Sequence, residues 1–282
     1  MIALEQYMHD LFGRALGDND LVVIFSARLD ETGTDGISPY TVIGGAVAAT
    51  DQWGKLEAAW GRLLDRSTVS AYHWKQFNDR HGDFAGWSDL KCKRFVGAQE
   101  KIVKNNALFR VSVGLESAVH AEIKKRMEGI KGFLSESDYS LCLRYLMFVI
   151  CEELAKLDPD FRLTILVEDG PWASGAMKTY QRVAAMTGKW KPAKHAHRLA
   201  GFASAPKGER LSLETADYLV GEEHARMLAG KNARRGAQTL SMLLTGPILE
   251  QWYEGMINEK EARRAYNRAE FKKPSSSEEQ SS

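Results

Sequence analysis

Acidic residues follow two of the most apolar runs of the chain. Asp30 and Glu31 come directly after LVVIFSARL, and Glu168 and Asp169 come directly after FRLTILV. Ligand sites in open α/β sheets form outside the carboxyl ends of parallel strands, so two neighbouring strands would bring both acidic pairs to one edge. An acid before a Gly-Pro pair is also ordinary turn chemistry, and for Asp169 that interpretation is favoured.

A third acid lies on the apolar face of a predicted helix. In the helix that begins at Leu211, positions 213, 216, 217 and 220 share one face, and Asp217 is the polar member of that set. Burying an unpaired carboxylate costs several kcal/mol, so Asp217 needs a partner. The alternatives are an arginine in a buried salt bridge, a helix cap, or a cation shared with other acids.

Together, the three acids indicate a metal site. One acid of the first pair, one acid of the second pair and Asp217 cannot all stay ionised within a few ångströms of one another without a cation. A ligand set of oxygens with few or no imidazoles favours Mg²⁺ or Mn²⁺ over zinc. Two such ions about 4 Å apart can activate a water and stabilise the leaving oxygen in attack on phosphorus. The chemistry predicted is phosphodiester hydrolysis without a covalent intermediate.

His73 is a further candidate at this site. It lies in AYHWKQF, between aromatic residues, where a packed and hydrogen-bonded core histidine is the commoner outcome. The alternative is that it faces the acids and orients a ligand or carries a proton.

One basic segment is a candidate contact for nucleic acid. Residues 189–198, KWKPAKHAHR, hold four fixed positive charges, no acid and one aromatic ring. Such a segment can follow a phosphate backbone and stack on a base. A solvated loop is an equally good interpretation. The candidate residues are Lys189, Trp190, Lys191, Lys194 and Arg198.

The order of elements predicts an α/β fold with a mixed five-stranded sheet and helices on both faces. Two early strands are joined by a hairpin, and a helical insertion near 50–105 precedes the third strand. A long apolar helix over 137–157 should pack on the sheet, followed by strands near 161–167 and 197–203. The predicted domains are an N-terminal helix over 1–20, the α/β domain over 21–258, and a charged helix end with a disordered tail over 259–282.

Composition sets the remaining bounds. The chain has 282 residues and a formal net charge of +1, so any nucleic-acid surface must be a local patch. Three widely spaced cysteines support neither a disulfide framework nor structural zinc. No apolar run reaches roughly 18 residues, so we expect no transmembrane helix and a cytoplasmic location.

Short motifs spread over residues 21–228 resemble the domain-of-unknown-function 3800 family. They are L-D-E-T-G at 29–33, the Gly-Gly strand at 42–47 followed by Trp53 and Trp60, Tyr72-His73, V-E-D-G at 167–170, E-T-A-D-Y-L at 214–219, and the pair Tyr139 and Cys142. Thr32 stands where that family usually has serine, and Glu214 where it has glutamine. The second departure adds a charge beside Asp217 and leaves open which of the two faces inward.

The resemblance implies a ribonuclease-H-like fold with a nuclease-type acidic site. Carried over to this sequence, it makes Asp30, Glu168 and Asp217 metal ligands, in an arrangement similar to that of RuvC-type resolvases, with Glu31 and His73 as second choices. The family is common near prophage and defence genes, which implies a defence-system protein as a candidate partner. A second copy of the chain, in a homodimer, is the other candidate partner.

Three functions remain open at this point. The leading one is a metal-dependent nuclease acting on DNA or RNA. The second is a catalytically weak ribonuclease-H-like module that binds nucleic acid or a protein partner in a defence or mobile-element system. The third is hydrolysis of a small phosphorylated molecule.

Overall fold

A mixed β-sheet forms the centre of the fold. The computed structural model describes residues 24–254 apart from 131–134, 187–190, 207, 231–234 and 237–238. The strands within this part are β1 (Ile24–Thr32), β2 (Tyr40–Ala49), β3 (Phe109–Glu116), β4 (Arg162–Glu168), β5 (Leu199–Ala205), β6 (Arg235–Gly236) and β7 (Thr239–Leu244). Their spatial order is β5-β4-β1-β2-β3-β7-β6.

Helices cover both faces of this sheet. They are α1 (Thr50–Ser67), α2 (Trp74–Asn78), α3 (Asp89–Asn106), α4 (Ser117–Met127), α5 (Asp138–Leu157), α6 (Ala173–Ala184), α7 (Leu211–Leu228) and a helix over residues 246–254. Short 3₁₀ turns occur at Gly82–Phe84, Lys191–Ala193 and Ala196–Arg198. The prediction of an α/β fold with a mixed sheet is confirmed. No helix in the described ranges combines the length and the apolar character that crossing a membrane requires.

The strand pairing brings the first and fourth strands together. β1 pairs with β2 antiparallel, as the predicted hairpin requires, and it pairs with β4 parallel on its other side. The turn between β1 and β2 depends on Gly33, which has φ +72 and whose hypothetical Cβ would clash with the carbonyl oxygen of Tyr40. β1 and β4 therefore end at the same edge of the sheet.

Alternation along the strands separates two cores. Ala27 and Leu29 of β1 belong to the larger apolar cluster, together with Val167 of β4 and most of the buried side of α5. The opposite face of the sheet is covered by α7 and by the helices between β2 and β3. The long helix predicted to be buried is indeed α5, with eleven buried residues.

The prediction of five strands is wrong, because the described sheet has seven. β7 lies parallel to β3, and the two-residue β6 pairs with it. β1 also extends through Asp30 and Glu31 rather than ending before them. The predicted N-terminal helix over 1–20 and the charged end and tail over 259–282 lie outside the described residues.

Candidate acidic active site

The register of two parallel strands places Asp30 beside Glu168. Leu29 of β1 lies opposite Val167 of β4, and the next residue of each strand is the acid. Since Leu29 and Val167 face α5, the alternation of the strands turns both acids toward α7. Neighbouring strands lie about 4.8 Å apart, so the two carboxyl groups share one small volume.

The Asp30 carboxyl is the buried centre of this arrangement. Only 6% of the residue is exposed, and its Oδ1 accepts a hydrogen bond of 2.8 Å from the backbone N–H of Glu31. Burial raises the pKa of Asp30 well above its usual value, and the negative charges of Asp217, Glu31 and Glu168 raise it further. The structure thus brings Asp30, Glu31, Glu168 and Asp217 together, and we call these four residues the acidic edge.

Asp217 reaches the acidic edge from α7. Three residues of its helical face are buried, namely Leu213, Ala216 and Val220, while 17% of the Asp217 side chain stays exposed. Its Oδ2 accepts a hydrogen bond of 2.9 Å from the backbone N–H of Trp74. No arginine is among its partners in the described part of the chain, so the arginine alternative considered for Asp217 is not what the structure shows.

His73 faces the acids rather than the core. Its Nδ1 lies 3.8 Å from Asp217 Oδ2, and 26% of the side chain is exposed. The packed-core interpretation of His73 is therefore wrong for this side chain. The aromatic neighbours that suggested it do enter the core, and Tyr72 is fully buried.

Glu214 is a second inward acid on α7 that the sequence left undecided. It is buried, and its Oε2 accepts hydrogen bonds of 3.1 Å from the Tyr72 backbone N–H and from Trp60 Nε1. Burial raises its pKa, and the two hydrogen bonds counteract part of that effect. Glu214 thus binds the backbone N–H of Tyr72, and Asp217 binds that of Trp74. His73 lies between these two residues, and both hydrogen bonds fix its position.

A glycine in α7 makes room for this segment. Any Cβ at Gly221 would overlap the indole ring of Trp74. Gly221 is one helical turn beyond Asp217. The indole ring of Trp74 therefore lies on the helix backbone, while the backbone N–H of Trp74 reaches the Asp217 carboxylate. No local sequence signal distinguishes this glycine from one that merely weakens a helix.

Tyr139 of α5 lies near Glu31 and Asp30, and Trp172 stacks on it; sequence reasoning assigned neither residue a site role of its own. Burial raises the pKa of the Tyr139 phenol, and the charges of Glu31 and Asp30 add to that rise. The ring of Tyr139 stacks on that of Trp172, with centroids 5.5 Å apart and an interplanar angle of 16°.

The basic segment lies elsewhere. Arg198 precedes β5 at the end where β4 begins, and its Nη2 forms an ion pair of 2.8 Å with Asp160. The seven residues of β4 separate that end from Glu168 by about 20 Å, which no side chain spans. Lys191 and Lys194 are exposed in the same segment. Lys189 and Trp190 lie outside the described residues, and nucleic-acid binding by this segment stays a prediction.

The acidic edge supplies oxygen donors, but they are not arranged as a complete coordination shell for an ion. Within the described ranges, no three side chains among the histidines, cysteines, aspartates and glutamates are arranged to hold a metal ion as they stand. Asp169, which follows Glu168, is exposed, and its backbone N–H donates to the Ala205 carbonyl, which continues the pairing of β4 with β5 by one hydrogen bond.

Comparison of the chain with protein-family models found no match, and comparisons with curated proteins and with solved structures found none either.

Proposed function

We propose that this chain is a divalent-metal-dependent nuclease with a ribonuclease-H-like fold, which hydrolyses phosphodiester bonds of nucleic acid. The observation that carries the proposal is the meeting of Asp30, Glu168 and Asp217: the ends of β1 and β4 lie side by side, and the charges of Asp217 and Glu168 act on the buried carboxyl of Asp30. A fold that brings acids from three separate elements to one edge, at a cost in stability, uses them for something other than stability.

The strand order supports the fold part of this proposal. The first five strands lie in the order β5-β4-β1-β2-β3, with β2 antiparallel to both of its neighbours. A ribonuclease-H-like core has this arrangement, with acids at the ends of the first and fourth strands and on the last helix. The resemblance to the domain-of-unknown-function 3800 family belongs to the same proposal.

The chemistry of the donors fits Mg²⁺ or Mn²⁺. Carboxylate oxygens are the ligands that these hard cations prefer, and the described surroundings contribute no thiolate. The repulsion that raises the pKa of Asp30 would become attraction toward a cation placed between the acids. Asp30, Glu168 and Asp217 would hold the ion, with Glu31 as a further donor. Such an ion would polarise the phosphoryl group and lower the pKa of an attacking water.

Groups around the acids would orient the metal ligands and transfer protons during the reaction. The Trp74 N–H fixes the orientation of the Asp217 carboxylate. The partly exposed imidazole of His73, next to Asp217, can give a proton to the departing oxygen or take one from water. Glu214 would act indirectly. It accepts a hydrogen bond from the backbone N–H of Tyr72, the residue before His73, and so fixes the position of the imidazole.

Cleavage assays with matched neutral variants test the proposal. Purified protein is incubated with labelled single-stranded DNA, duplex DNA and RNA in Mg²⁺, in Mn²⁺ and in EDTA. We expect cleavage that requires the metal and that falls by at least two orders of magnitude in Asp30→Asn, Glu168→Gln and Asp217→Asn. Asp169→Asn, an exposed neighbour with the same change in charge, should cleave like the original protein. Unchanged cleavage in Asp30→Asn or Asp217→Asn would reject the assignment of those ligands.

A second candidate is a catalytically weak module that binds nucleic acid or a protein partner. The lack of a ready three-ligand cage among the described residues is the observation that favours it. In that case oligonucleotides bind without being cut, and metal titrations in a calorimeter release no heat. Hydrolysis of small phosphorylated molecules together with no cleavage of any oligonucleotide would instead indicate a phosphohydrolase.

A further inference from the structure

Two aromatic rings form a stacked pair beside the acidic edge. The Tyr139 ring is buried with 3% exposure, whereas Trp172 is partly exposed. The rings are nearly parallel, so the Tyr139 ring supports one face of the indole from the core side. Among the described residues, no other aromatic ring contacts Trp172. The pair thus presents a partly exposed indole, one face of which rests on a buried ring.

The position of this pair relative to the acids is fixed in two ways. Trp172 follows Glu168 by four residues, in the turn that leads from β4 into α6. Tyr139 is close enough to Glu31 and Asp30 for their charges to act on its hydroxyl. The pair therefore lies on the α5 side of the sheet edge at which β1 and β4 end, and a nucleotide whose phosphate reaches the acids would extend across that edge toward Trp172.

The shape and chemistry of the pair select an unpaired base. Bases stack on exposed aromatic rings regardless of sequence, because every base has a π-face. Bases inside a duplex are already stacked on both sides, so only single-stranded, flipped or looped nucleotides can present a free face. An indole supported from behind by tyrosine needs no ordering before it binds, which favours this contact.

We propose that Trp172, supported by Tyr139, stacks on an unpaired base adjacent to the scissile phosphate, so that the preferred substrate is single-stranded or locally unpaired nucleic acid. This inference rests on the proposed nuclease function, because it places the base next to the phosphate that is cut. The binding itself can be measured without cleavage.

Binding to abasic oligonucleotides tests the stacking directly. The Asp217→Asn variant serves as the background, so that binding is measured without cleavage, and affinities for labelled single-stranded DNA and RNA are determined by fluorescence anisotropy. In this background Trp172→Leu keeps an apolar side chain without a π-face, and Trp172→Phe keeps a smaller ring. A base-aromatic stack corresponds to an affinity loss of roughly 5- to 150-fold when it is removed. We expect that loss in Trp172→Leu and a smaller one in Trp172→Phe.

A scan of abasic positions then identifies the stacked base. One position should weaken binding to the tryptophan-containing protein by a similar factor and leave binding to Trp172→Leu almost unchanged, because the contact is already lost. Equal effects of every abasic position in both proteins, or a preference for duplex that Trp172→Leu does not alter, would overturn the inference.

The two proposals fail in different ways. If the original protein cuts no oligonucleotide but the abasic scan shows coupling to Trp172, the stacking site stands and the nuclease proposal falls. If metal-dependent cleavage is observed and is equally fast in Trp172→Leu on single strands and duplexes, the nuclease proposal stands and the stacking site is rejected.

Discussion

Replacement of Asp30 by asparagine should stabilise the metal-free protein while it removes cleavage. The substitution keeps the size of the side chain, and the amide oxygen can still accept the hydrogen bond from the Glu31 N–H. The negative charge is lost, and the new NH₂ group can donate to Glu168 or Asp217. We therefore expect a higher free energy of unfolding in EDTA at pH 8.

The sign of the pH dependence follows from the raised pKa of Asp30. The folded protein binds a proton at this group more tightly than the unfolded chain does. The contribution of Asp30 to stability is therefore largest below its unfolded pKa of about 3.9 and is lost as the pH rises through the folded pKa. Each unit of difference corresponds to about 1.4 kcal/mol, and we expect a gain on the order of 1–3 kcal/mol for Asp30→Asn at pH 8. The gain should shrink toward pH 4.

Urea unfolding in EDTA at several pH values measures this difference, with Asp169→Asn as the exposed control. Magnesium should reverse the ranking, since an ion bound only to the folded protein adds about 2.7 kcal/mol at a hundred times its dissociation constant. The reasoning is refuted if Asp30→Asn is less stable than the original protein in EDTA at pH 8, or if the difference does not change with pH.

Three further substitutions, at two positions, test the support of the site from α7. Gly221→Ala should displace the Trp74 ring and lower the free energy of unfolding by about 1–3 kcal/mol, although alanine favours the helix. It should also reduce cleavage, because Asp217 loses its backbone N–H donor. Unchanged thermal unfolding would contradict the contact between Gly221 and Trp74. Glu214→Gln keeps the acceptor and should unfold like the original protein. Glu214→Leu leaves buried donors such as the Tyr72 N–H unpaired, so its free energy of unfolding should be about 2–4 kcal/mol lower. Equal stabilities of the two variants in urea would show that the acceptor is not needed.

The elements with a strong local pattern were predictable from the sequence. The turn residues around Gly33 specify the β1–β2 hairpin, and the apolar circumference of α5 predicts its burial. The apolar run of β4 indicates a central strand, whereas its position beside β1 was a condition of the predicted site that the structure supplies. Because the acids come directly after these strands, their convergence could be anticipated, as could the inward position of Asp217.

The missing parts depend on contacts between distant residues. β7 pairs with β3 across more than a hundred residues, and its short run TLSMLL carries little signal of its own. Glu214 is buried because two N–H groups from the insertion meet it there, which α7 alone does not reveal. The stacking of Tyr139 on Trp172 likewise joins two separate elements. The basic segment could not be placed either, because its position depends on the direction of β5.

The most direct test is a crystal structure of the protein with Mn²⁺, in which anomalous scattering locates the ion. The proposal predicts manganese at the ends of β1 and β4, coordinated by oxygens of Asp30, Glu168 and Asp217. Manganese bound elsewhere, or an acidic edge that stays empty at millimolar Mn²⁺ with Asp30 protonated, would contradict it.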